Sequence, residues 1–181
     1  MRNLLSKNLL IAVFALIWGW VPRVQAQVYV EADPFAYALS GHSLHLGLQG
    51  AGLRLQVGTF GAELPDGMKD NEAFLVKQSG YGLKLDYYGH KPEGGFVGIE
   101  YGETTADYRL KSTDESIERD VNLLGIRFGY KWKMSDSFYA MPWVGVDKNI
   151  TQQDLEFELG GETYTEQEWT VFPTVHLGYD F

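Results

Sequence analysis

The chain contains no cysteine, which excludes a disulfide framework and thiol chemistry. It is short of basic residues, with 15 Lys and Arg against 24 Asp and Glu. That balance has the wrong sign for neutralising phosphates, so nucleic-acid binding is excluded. Beyond residue 26 every apolar run is broken within a few residues by a charge or a glycine. No transmembrane helix fits there, because a span needs roughly 20 apolar residues.

The first 26 residues read differently. Arg2 and Lys7 form a positive start, 9–20 is mostly apolar, and Val24-Gln25-Ala26 is a small-residue cleavage site. This is the pattern of a secretory signal peptide, so the expected division is 1–26 leader and 27–181 mature chain. Losing Arg2, Lys7 and Arg23 takes the net charge from −9 to −12.

What is abundant is aromatic residues, at 14%, and glycine, with 21. Many short strands punctuated by both fit a β-sandwich or barrel. The last stretch shows the pattern best. Trp169, Val171, Pro173, Val175, Leu177, Tyr179 and Phe181 alternate with Thr170, Thr174, His176, Gly178 and Asp180. An apolar face thus faces a polar or small one at strand period, and the terminal aromatic keeps the register. Leu124, Ile126, Phe128, Tyr130 and Trp132 alternate likewise with Gly125, Arg127, Gly129 and Lys131. Eight strands are expected near 29–39, 42–48, 53–60, 80–88, 95–105, 124–132, 138–148 and 169–181. Pro34 should place a bulge or a register shift in the first. From the second hairpin onward the connections alternate short and long, which puts both termini at the short-turn end. The first connection, Ser40-Gly41, is unusually short.

Aromatics at strand ends (Tyr87, Tyr101, Tyr130, Trp132, Tyr179) suit membrane interfaces, so the apolar face is expected to meet lipid. The fold expected is all-β, an eight-stranded antiparallel transmembrane up-and-down barrel. An eight-stranded bore is only wide enough for side chains. Arg54, Lys84, Arg127 and Lys131 should fill it as pairs with Asp86, Glu100, Glu31 and Asp33, with His45 and His176 at the margins. The competing architecture is a soluble lipocalin-like barrel with an apolar calyx.

From about Gln27 to Phe181 the chain resembles the small eight-stranded bacterial outer-membrane proteins of the OmpA transmembrane-domain and OmpX type. The leader, the alternation, the loop asymmetry and the Leu177-Gly-Tyr-Asp-Phe181 terminus carry the resemblance. It implies export to the Gram-negative outer membrane and contact with bilayer and lipopolysaccharide. It also implies insertion by the outer-membrane assembly machinery, with Leu177, Tyr179 and Phe181 as the signal, and a monomer. With no peptidoglycan-binding domain expected after Phe181, the anchoring role of full-length OmpA is not implied.

Relatives of this size also include lipid-modifying enzymes, which need a Ser or His with a carboxylate. Ser43 and His45, with Asp33 or Glu31 beside them and His176 across the closure, are the candidates. A lipid A deacylase carries His-x-Ser near its C-terminal end, whereas here Ser43-x-His45 lies near the start. No catalytic residue, metal site or cofactor is therefore expected. Acids concentrate in 61–77, 102–120 and 148–168, read as long external loops. In the last of these Leu155, Phe157 and Leu159 alternate with Glu156 and Glu158, so the last two barrel strands should extend as a hairpin turning at Gly160-Gly161. The functional expectation is a structural or surface-interacting outer-membrane barrel. A lipid-modifying enzyme and a narrow small-solute channel are the alternatives.

Overall fold

The computed structural model describes residues 26–90 and 93–181; the expected leader, apart from Ala26, lies outside them. Eight antiparallel strands close into a barrel: β1 (Gln27–Ala32), β2 (His42–Gly50), β3 (Leu53–Glu63), β4 (Phe74–Tyr87), β5 (Gly94–Leu110), β6 (Ser116–Lys133), β7 (Phe138–Asn149) and β10 (Trp169–Asp180). Each pairs with its sequence neighbours in the barrel, and β1 closes onto β10 from Tyr29↔Asp180 to Ala32↔Leu177. Two further strands, β8 (Glu156–Leu159) and β9 (Glu162–Thr165), pair only with each other.

The barrel is inside out relative to a soluble one. Leu44, Leu46, Val57, Leu83, Ile99, Leu124, Ile126 and Leu177 are exposed on its outer face. Arg54, Lys84, Asp86, Arg127 and Lys131 are buried on the inner face. A contiguous exposed apolar band of this size is stable only against hydrocarbon. Tyr130, Trp132, Phe138 and Tyr179 mark its lower rim, near the short turns, and Tyr81 and Trp169 its upper rim.

The first strand departs from expectation. It ends at Ala32, and a short helix, α1 (Pro34–Ala38), follows. The Asp33 carboxylate accepts from Phe35 N–H at 2.8 Å, and Pro34 occupies the first helical position with its φ already suitable. Pro34 thus starts a helix instead of bulging a strand, and the first connection spans 33–41. Because β1 stops early, 169–176 of β10 has no strand neighbour on that side among the described residues, and α1 packs there instead.

The expected long loops are largely strand. β5 runs on to Leu110 and β6 begins at Ser116, so their connection is a tight 111–115 turn. Alternation continues past the membrane with its polarity reversed. Above Tyr81, Tyr101 and Leu124 the outward positions become Lys77, Asp107, Arg109, Glu118 and Asp120, while the inward ones become Phe74, Val76, Ala106, Tyr108 and Leu110. These inward side chains form a small soluble-type core, packed with Val121 and Tyr164. The β8–β9 hairpin caps it through Phe157 and Tyr164 on Phe74 and Tyr108. The turn is at Gly160-Gly161, both with positive φ (59° and 83°), as a two-residue hairpin of this type requires. The hairpin is separate from β7 and β10, contrary to the expectation that those strands would extend into it. Main-chain bonds bend 150–155 across the barrel top, Ile150 N–H donating to Asn122 O and Glu166 N–H to Leu155 O.

Candidate functional site: the filled lumen

The bore is crossed by side chains in stacked layers. At the short-turn end Lys131 Nζ donates to Asp180 Oδ2 at 2.8 Å and to Gln49 Oε1 at 3.0 Å, and it sits 3.9 Å above the Tyr139 ring. Strand alternation brings these groups together. Lys131, Asp180 and Gln49 all occupy inward positions near the lower ends of β6, β10 and β2.

The next layer is centred on Glu31. Arg54 Nη2 donates to Glu31 Oε1 at 2.5 Å, and both side chains are fully buried. Tyr139 O–H donates to the same oxygen at 2.8 Å. Gln56 Nε2 donates to Oε2 at 2.6 Å, and His176 Nδ1 lies 3.0 Å from it. The guanidinium also bonds Tyr139 and Tyr88 hydroxyls and lies 3.7 Å from the Tyr29 ring centroid. A buried charge is tolerated only when paired and hydrogen-bonded, and here both partners are. Gly47 and Gly178 make room: a Cβ at either position would collide with the Tyr29 or Tyr139 ring.

The third layer is looser. Arg127 Nε lies 3.3 Å from Asp86, Arg127 Nη1 3.8 Å from Glu100, and Lys84 Nζ 3.9 Å from Glu100. The Trp143 ring covers both cations, with centroid distances of 4.1 Å to Arg127 and 4.6 Å to Lys84. All three nitrogens of Arg127 lack a hydrogen-bond partner among the described residues, as do Trp143 Nε1 and one oxygen each of Asp86, Glu100 and Asp147.

All eight sequence-nominated lumen residues therefore point inward, in three groups: Lys131 at the bottom, Arg54 with His45 and His176 around Glu31, and Lys84, Asp86, Glu100 and Arg127 above. His45 stacks on His176 with ring centroids 5.0 Å apart. Leu177, Tyr179 and Phe181 lie on the outer face, where Phe138, Tyr179 and Phe181 pack edge to face. In the sequence Glu31 is one counter-charge among several; Gln56 and Tyr88 alternate onto the polar face there, whereas Tyr29, Tyr139 and Trp143 do not stand out as lumen residues. These three aromatics are missed because apolar residues are expected on the lipid face. The usable signal is their parity: Tyr139, Met141 and Trp143 share a face with Asp147.

The candidate nucleophile is not armed. Ser43 Oγ accepts from Asp33 N–H at 3.0 Å, and Asp33 Oδ2 accepts from Thr174 at 2.7 Å. No hydrogen bond joins Ser43 to His45 or His176 among the described residues, and all three side chains are buried. A nucleophile needs a base within hydrogen-bond reach. No group of three or more acids or histidines suited to a metal ion occurs among the described residues.

No protein-family model matches the chain, and no curated protein matches it. Among solved structures it is similar to the N-terminal β-barrel domain of Pseudomonas aeruginosa OprF, with TM-score 0.50 and 13% identity over 88% of this chain and 100% of that one. It is also similar to Neisserial surface protein A, NspA (0.48, 14%, 87% and 94%), and to a major outer membrane protein from Thermus thermophilus (0.47, 14%, 87% and 100%). The OprF match carries the fold: this chain has the eight-stranded barrel architecture of small outer-membrane proteins.

Proposed function

We propose that the chain is an integral barrel of the Gram-negative outer membrane that closes its own bore and acts through the surface it raises above the bilayer. The observation that carries this reading is the Glu31–Arg54 layer. Both charges are fully buried, and Gln56, Tyr139, Tyr88 and His176 bond to the pair from around the bore. Opening it would strand two charges in a low-dielectric interior. Above it, β4, β5 and β6 rise beyond the apolar band with an acidic outer face, and the capped hairpin adds Glu156, Glu158 and Glu162. A structural or surface-interacting role fits both features. In this reading the partners are the bilayer, lipopolysaccharide and the outer-membrane assembly machinery, and the protein is exported by its leader and works as a monomer.

The test is conductance across planar lipid bilayers together with trypsin treatment of intact cells. Wild-type protein should give no discrete current steps, and trypsin should cut at the exposed Lys111 turn. Stable open steps from the wild type would establish a channel. Cleavage only after the outer membrane is breached would reverse the orientation.

A further inference from the structure

The outer half of the lumen is built to leave space. Gly82 and Gly102 pair across β4 and β5, and a Cβ at either would meet nothing nearer than 3.7 Å. Phe60 lies over both positions, Leu123 is beside Gly102, and Phe172 packs against Trp143 at 6.0 Å. These three apolar side chains point inward and are only half-buried, and Leu123 also packs against the apolar core of the cap above. The Glu100 and Lys84 side chains at the floor keep 11% and 9% exposure, whereas Glu31 and Arg54 below have none.

Two carboxylates converge on that floor. A Cβ at Gly145 would lie 2.5 Å from Glu100 Oε1 and 3.5 Å from Asp147 Oδ2, and one at Gly125 would land on Asp147 Oδ1. Asp147 is 9% exposed, and its Oδ1 has no hydrogen-bond partner among the described residues. Among the described residues no cationic group forms an ion pair with it, while Glu100 at least has Lys84 and Arg127 at 3.8–3.9 Å. Counted as carboxylates, Asp86, Glu100 and Asp147 thus outnumber Lys84 and Arg127 by one negative charge. A buried carboxylate left in that state is unfavourable unless a cation or a proton joins it. One missing positive charge matches a monovalent ion and not a divalent one. Phe60, Leu123 and Phe172 match an apolar body, and the two phenylalanines supply rings that a cation can approach.

We propose that this vestibule binds a small organic ammonium ion, with its charged head on Asp147 and Glu100 and its body against Phe60, Leu123 and Phe172. Only the outer half of the bore is involved, so binding requires no passage through the Glu31–Arg54 layer.

The test is calorimetric titration of phenethylammonium chloride into the full barrel in lipid nanodiscs, with sodium benzoate and magnesium chloride as comparisons. Saturable binding of phenethylammonium alone is expected. Asp147→Asn should weaken it by at least about tenfold through loss of the charge pair. Gly102→Leu, which keeps every charge but fills the space, should weaken it too. Asp147→Asn should leave the urea midpoint unchanged or higher, because it removes a buried charge with no partner. Absence of saturation would overturn the proposal, as would equal binding in Asp147→Asn. Asp147-dependent magnesium binding without ammonium binding would overturn it too. A lowered midpoint in Asp147→Asn would place Asp147 in the ion-pair network and overturn it as well.

Discussion

Changing Glu31 to Gln keeps the shape of the side chain and removes its charge. The Arg54 guanidinium then stays fully buried opposite a neutral amide, with its Nε already lacking a partner among the described residues. Gln56 and His176 lose a charged acceptor at 2.6 and 3.0 Å, and Tyr139 loses one at 2.8 Å. Breaking a buried pair from one side costs about 3–5 kcal/mol, most of it the desolvation of the charge left behind. Weakened hydrogen bonds to the former carboxylate add on the order of 1 kcal/mol, but they share the same rearrangement and do not sum. Against a total stability of about 5–15 kcal/mol, this is about a fifth or more. Urea titration of the barrel folded into lipid vesicles, followed by tryptophan fluorescence, reads the loss directly. The control is Glu31→Gln with Arg54→Met. Removing both charges should return stability to within about 1 kcal/mol of wild type, because no charge is then stranded. A loss below about 1 kcal/mol in Glu31→Gln would refute the argument that this layer is a desolvated ion pair. So would a double variant as unstable as the two single losses added together.

Two further predictions concern the ends of the molecule. Phe181→Ser should lower the yield of heat-modifiable, membrane-inserted barrel, because Phe181 is 71% exposed on the outer face and packs on Tyr179 at 5.0 Å; a wild-type yield would remove the terminal-signal reading. In the cap, burial and then the Glu166 carboxylate 3.1 Å away hold the Tyr108 hydroxyl well above the usual tyrosine range. A raised folded-state value gives stabilisation that is complete below the ordinary value of about 10 and lost as pH rises past it. Proteolysis of 150–168 should therefore accelerate above about pH 10, and a flat rate into that range would contradict it.

The barrel is legible in the sequence because the side-chain period of a strand is two and each strand repeats it. Leu124 to Trp132 against Gly125 to Lys131 needs no other information to define two faces. Which charges enter the bore follows from the same parity. Which charges meet does not, because contacts across the lumen depend on stagger between strands far apart in sequence. Glu31 reaches Tyr139 over 108 residues and His176 over 145. The helix at Pro34 escapes the strand reading although its signal is local, an Asp-Pro pair that caps as readily as it breaks a strand. The outer parts of β5 and β6 pass for loops as long as their acids are equated with coil. They mark instead a strand whose outward face has left the lipid.

That reversal can be tested by charge placement. On the outer face, Ile126 is 55% exposed in the middle of the apolar band, and Asp120 sits six residues higher on the same face of the same strand. Ile126→Arg should cost about 2–4 kcal/mol and Asp120→Arg about 0–1 kcal/mol, because the penalty follows depth in the hydrocarbon. On the inner face the order inverts. Arg127 is native and buried among Asp86, Glu100 and Trp143, whereas Val76 is fully buried in the apolar core of the cap. Val76→Arg puts an unpaired charge there, so the β8–β9 hairpin should lose its protection from protease while the membrane part stays folded. Urea unfolding in vesicles separates the first two variants, and limited proteolysis reads the third. Equal costs at Ile126 and Asp120 would mean that no bilayer edge lies between them. A hairpin still protected in Val76→Arg would mean that the cap is not held by the core beneath it.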